Sequence, residues 1–124
     1  MPLLATRRFN SEGESLAVYL SSVVLAELYA GADAKTSKLL VKFEHDFSKN
    51  RRLLIPTKSD WSLAGRTLNS IGKKYGFETI GRSRMMNDCL IASTVRRLGL
   101  HLATKNTRDF QIISEFRPLR LQVL

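Results

Sequence analysis

Apolar positions along the chain recur with two different spacings. Leu39, Leu40, Phe43 and Phe47 repeat every three or four residues, which predicts a helix over residues 36–49. Trp61, Ala64, Leu68 and Ile71 share one face of a second helix, capped by Ser59 or Asp60 and ending near Tyr75 and Gly76. A third helix spans 84–98 and stops at Gly99. Ser22 caps a helix over 23–30, with Gly31 closing it in a left-handed conformation, and Asn106 or Thr107 caps a short helix through Ile113. Between these helices lie brief apolar or β-rich runs at 2–5, 17–21, 53–55, 100–103 and 119–124, while 10–15 reads as a loop.

Strands alternating with helices predict an α/β protein whose mostly parallel sheet is covered on both faces. Such sheets bind ligands at the carboxyl ends of their strands, so the residues after Ser21 and Ala103 become the places to look. No repeat, linker or low-complexity tract divides residues 1–124, and their number suits a single domain. The longest uncharged run, 15–26, is too short to span a bilayer, and the N-terminus lacks the apolar stretch of a signal peptide. A membrane partner is therefore not expected. Cys89 is the sole cysteine, so neither an intrachain disulfide nor a thiolate metal cluster can form, and a cytoplasmic location is the simple expectation. His45 and His101 lack ligand-type spacing. Any bound metal would need oxygen ligands. The net charge of +9 favours a polyanionic partner, nucleic acid or an acidic protein.

Two carboxylates interrupt apolar surroundings, and a third follows a strand end. Glu27 is the only charge between Leu16 and Ala32, and its helical neighbours are Val23, Val24 and Ala30. Asp88 is the only charge between Met85 and Val95, on a face with Ile91, Ala92 and Val95. Asp109 follows a strand end in the segment 104–110. Each also has a structural explanation: a stripe-edge Glu reaching solvent or an Arg, an N-cap at Asp88, a first-turn acid at Asp109. Brought together at one sheet edge, they would repel one another until a divalent cation joined them. All-oxygen ligation suits Mg²⁺ or Mn²⁺, which with a basic rim makes a phosphodiesterase design. Arg82, Arg84, Arg96 and Arg97 are candidate phosphate contacts for RNA, or simply a solvated basic face. A basic DNA-binding regulator, with Arg66, Lys73 and Lys74 on a helix, is a weaker reading because no helix-turn-helix pair is evident.

The segment 21–31, SSVVLAELYAG, resembles the second acidic motif of PIN domains, particularly the VapC-type toxins of toxin–antitoxin pairs. Residues 87–92, NDCLIA, resemble the third, and 104–110, TKNTRDF, the fourth, in matching order. The resemblance implies a three-layer α/β fold and a magnesium-dependent endoribonuclease acting as a toxin. It also implies a homodimer and a cognate antitoxin whose tail blocks the site. By motif match, Glu27, Asp88 and Asp109 are the catalytic, metal-holding acids, and Thr104 and Asn106 support them. One acid departs from the pattern. The family's first strand ends in aspartate, whereas the nearest match here, residues 3–6, places Ala5 there. The first strand is thus expected to be short or missing, truncated or degenerate. The alternative function is a catalytically degenerate PIN-like module that binds antitoxin or RNA without cleaving.

Overall fold

The computed structural model describes residues 5–9, 15–80 and 83–123, and the side chains of 17–78 and 85–122 among them. In chain order the elements are β1 (Ala5–Phe9), β2 (Ser15–Ser21), α1 (Ser22–Ala30), α2 (Ala34–Lys49), β3 (Leu53–Leu54), α3 (Lys58–Tyr75), α4 (Phe77–Ile80), α5 (Ser83–Arg97), β4 (His101–Thr104), α6 (Thr107–Phe116) and β5 (Arg120–Val123). The strands form one sheet in the order β3-β2-β1-β4-β5.

The α/β expectation holds, but the sheet is mixed rather than mostly parallel. Its outer pairs, β2 with β3 and β4 with β5, are parallel. The central strand β1 is present and runs antiparallel to both β2 and β4. The cause is the length of the connection. Only residues 10–14 separate β1 from β2, enough for a hairpin and far too few for a parallel crossover. Ala5 pairs with Ala103, so it is the start of β1, not its end, that lies at the carboxyl edge of β4. Of the run expected at 2–5, only Ala5 falls within the described residues; most of the expected loop at 10–15 lies outside them, and Ser15 opens β2.

Helix starts sit slightly earlier than the periodicity suggests, because the capping residues do. Ser21, not Ser22, caps α1, its Oγ accepting from the Val23 amide at 3.1 Å. Asp33 caps α2 by accepting from Thr36 N at 2.8 Å. Thr57, rather than Ser59 or Asp60, caps α3 in a reciprocal capping box: Thr57 Oγ1 accepts from Asp60 N, and Asp60 Oδ2 accepts from Thr57 N. Gly31 ends α1 with φ −100°, outside the left-handed region expected for it, whereas Gly99 after α5 does adopt φ +65°.

The core lies where Leu20, Leu54 and Leu102 from the strands meet Val24 and Leu25 of α1, Ile71 of α3, the apolar face of α5, and Phe110 and Ile113 of α6. The α5 segment from Asp88 to Val95 is wholly buried, which fixes its orientation against the sheet. Helix α3 packs along α5, and Lys74 near its C-terminal end pairs with Glu115 of α6 at 2.8 Å. Among the described residues no helix is long and apolar enough to cross a membrane.

Candidate active site at the carboxyl edge of the sheet

Strand β4 ends at Thr104, and α6 begins three residues later at Thr107. The turn between them is held from within. Thr104 is fully buried, and its Oγ1 accepts from the Asn106 backbone N–H at 2.9 Å. Asn106 is the N-cap residue of α6, yet its side chain makes no capping hydrogen bond. The amide points elsewhere: Nδ2 lies 3.4 Å from Asp88 Oδ2 and 3.4 Å from Asp109 Oδ2. Giving up a cap of this kind costs about 1 kcal/mol. The amide instead joins an acid of α5 to one in the first turn of α6.

Asp88 reaches this point from the first half of α5, only 3% exposed, and Asp109 from the first turn of α6. The two carboxylates thus converge on one neutral donor. Their combined field extends to Cys89, buried beside them. Burial, and after it the charges of Asp88 and Asp109, push its thiol up to about 12. A thiol held protonated in this way is a poor nucleophile. Cys89 in the native chain is expected not to react with a disulfide reagent at pH 8 and to react fully once denatured. Rapid labelling of the native protein would contradict the electrostatics described here.

Asp88, Asp109, Asn106 and Thr104 are brought together as their spacing suggests. Glu27 sits half-buried on α1, and no group of three acidic, histidine or cysteine side chains that could hold a metal ion occurs among the described residues. The donor chemistry still fits magnesium, which commonly takes one or two carboxylates and completes its shell with water. Turning the Asn106 amide over would present oxygen instead of N–H₂, making a third oxygen donor beside the pair.

The arginine candidates fare differently. Arg82 lies outside the described residues, as does the side chain of Arg84, whose backbone belongs to α5. Arg97 is engaged by Asp60, Nε donating to Oδ1 at 3.0 Å and Oδ2 at 3.1 Å, and so ties α5 to α3. Arg96 lines a cleft of about 160 Å³ with Gly99, Leu100 and Arg120. That cleft opens where β4 and β5 begin, at the sheet edge opposite the acids. The cations nearest the acids along the chain are Lys105 and Arg108, both exposed and neither among the candidates expected from the sequence. Their signal was position: both lie inside the segment that carries Asn106 and Asp109.

A family model for the PIN domain matches residues 4–115. No curated protein and no solved structure matches the chain.

Proposed function

The chain belongs to the PIN-domain family, and on that premise we propose that it is a magnesium-dependent endoribonuclease, the toxin of a toxin–antitoxin pair, with its site at the carboxyl edge of β4. PIN domains are generally nucleases. The observation that carries the reading is the Asn106 amide, which makes no capping hydrogen bond and lies between Asp88 and Asp109. Asp88 and Asp109 would hold magnesium or manganese; Glu27 joins them by motif alone. The bound ion supplies Lewis acidity toward a phosphate oxygen. Asn106 orients the carboxylate pair, and Thr104 holds Asn106 in place. Lys105 and Arg108 neutralise backbone phosphates on either side of the scissile one. In this reading the partners are RNA, a second copy of the chain, and an antitoxin segment that covers the acidic pair.

A second reading has two observations in its favour: two acids meet at Asn106 where the family motifs call for more, and the central strand that should bring the first of them is reversed. It is a module that binds RNA or antitoxin without cutting. Incubating the purified chain with single-stranded RNA, in magnesium and in EDTA, separates the two. Cleavage that requires magnesium supports the nuclease. RNA binding without cleavage under both conditions moves the assignment to the second reading.

A further inference from the structure

The outward stripe of α3 carries a feature that neither the fold nor the acidic pair uses. Lys58, Trp61, Ser62, Gly65, Arg66, Asn69 and Lys73 are all exposed and fall on one side of the helix. No acidic residue interrupts them, since the Asp60 carboxylate is buried against Arg97. Trp61, the only tryptophan in the chain, is 53% exposed in this stripe. With Ser62, Gly65 and Arg66 it lines an open trough of about 520 Å³.

Gly65 is the second observation. Glycine inside a helix is unfavourable by about 1 kcal/mol relative to alanine. Packing does not demand it here: a Cβ at position 65 would meet nothing within 4 Å. What the missing side chain does provide is clear space one helical turn from the indole, wide enough for a flat group to lie against the ring. Arg66 and Lys58 supply positive charge on either side of that space.

We propose that Trp61 and Gly65 form a stacking platform for one base of a single-stranded RNA whose phosphates run along Lys58, Arg66 and Lys73. An exposed aromatic with flanking cations is how single strands are held without sequence readout, because every base has a π-face. The platform is separate from the acidic pair. Asp60, one residue before Trp61, meets α5 at Arg97, and Asp88 lies nine residues back along α5, about 14 Å at the rise of an α-helix. It therefore grips a segment some nucleotides from the cut, and selects unpaired RNA because a duplex keeps its bases stacked inside. The inference rests on the nuclease reading insofar as both require RNA.

Because Trp61 is the sole tryptophan, its fluorescence reports on the platform directly. The full chain is titrated in EDTA with a twelve-nucleotide oligouridylate, with binding read in parallel from the anisotropy of a labelled strand. Quenching of the indole in step with binding is expected. Trp61→Ala should weaken binding roughly 5- to 100-fold and Trp61→Phe only a few-fold. Gly65→Leu fills the trough and should weaken binding at least as much as Trp61→Ala while raising thermal stability, an outcome that loss of fold cannot imitate. A blunt RNA duplex should leave the fluorescence unchanged. RNA binding without quenching, or full affinity in Gly65→Leu, overturns the platform and leaves the nuclease reading intact. Failure of the strand to bind overturns the platform, and the magnesium-dependent cleavage assay then decides the nuclease reading separately. Self-association that Trp61→Ala abolishes, seen by sedimentation, would assign the stripe to a second copy of the chain and overturn the platform.

Discussion

Replacing Asp60 with alanine is expected to lower the thermal midpoint by roughly 10–15 °C. Asp60 is 2% exposed, and its carboxylate gathers three donors: the Thr57 backbone N–H at 2.9 Å, the Thr94 hydroxyl at 3.3 Å, and Arg97 Nε at 3.0 Å. Its loss removes half of the capping box of α3, about 1 kcal/mol, and the charge-assisted bonds that join α3 to α5, about 2 kcal/mol. Arg97 is 37% exposed and returns to solvent, which keeps the cost below that of stranding a fully buried charge. The sign of the pH dependence follows from the same contacts. Burial pushes the Asp60 carboxyl up, but the Arg97 and Thr57 hydrogen bonds and the Arg97 charge together outweigh it and hold its pKa below the ordinary 3.8. A carboxyl depressed in the folded state stabilises above its unfolded pKa and loses that contribution as pH falls through the folded value. The gap between wild type and Asp60→Ala should therefore be full at pH 7 and narrower near pH 2.5. Calorimetry at both values decides it; a change under about 3 °C at pH 7 would show that the network holds little.

That network was legible in part. The sequence Thr57-Lys58-Ser59-Asp60 after Pro56 is a capping signature, but the helical period drew attention to Trp61 and put the cap at Ser59 or Asp60. Trp61 itself, expected on the buried stripe with Ala64, Leu68 and Ile71, is exposed, and Thr67 takes its share of the core. An aromatic at helical spacing carries no sign telling which edge of the stripe it occupies. Arg97 could not be paired with Asp60 from sequence, because the two lie 37 positions apart and meet only through the antiparallel packing of α3 and α5. The acid pair was readable for the opposite reason: Asp88 is an isolated charge against apolar neighbours, and a strand end followed by a cap carries Asp109 to the same edge. The reversed β1 had a cue too, since residues 10–14 leave no room for a crossover.

Asp88→Asn is expected to reduce magnesium-dependent RNA cleavage at least about a hundredfold, the usual order for removing one charged group from a reacting centre, while the thermal midpoint stays within about 3 °C of wild type. The two halves of this expectation have one cause. Asp88 and Asp109 converge on the Asn106 amide, so their charges oppose each other in the folded chain. Asparagine keeps the shape of the side chain in its buried position and removes that repulsion, which offsets the hydrogen bonding lost at a 3% exposed site. The charge that is unfavourable for folding is the one a cation would need, and sites built for binding commonly carry such a conflict. Asp109→Asn should behave in the same way. Glu27→Gln should cost less than about tenfold, because the Asn106 amide joins Asp88 to Asp109 without it. Cleavage rates measured across a magnesium titration, with thermal unfolding of the same preparations, test the set. Wild-type rates in Asp88→Asn, or a Glu27→Gln defect as deep as that of Asp88→Asn, would move the catalytic centre away from the Asn106 junction.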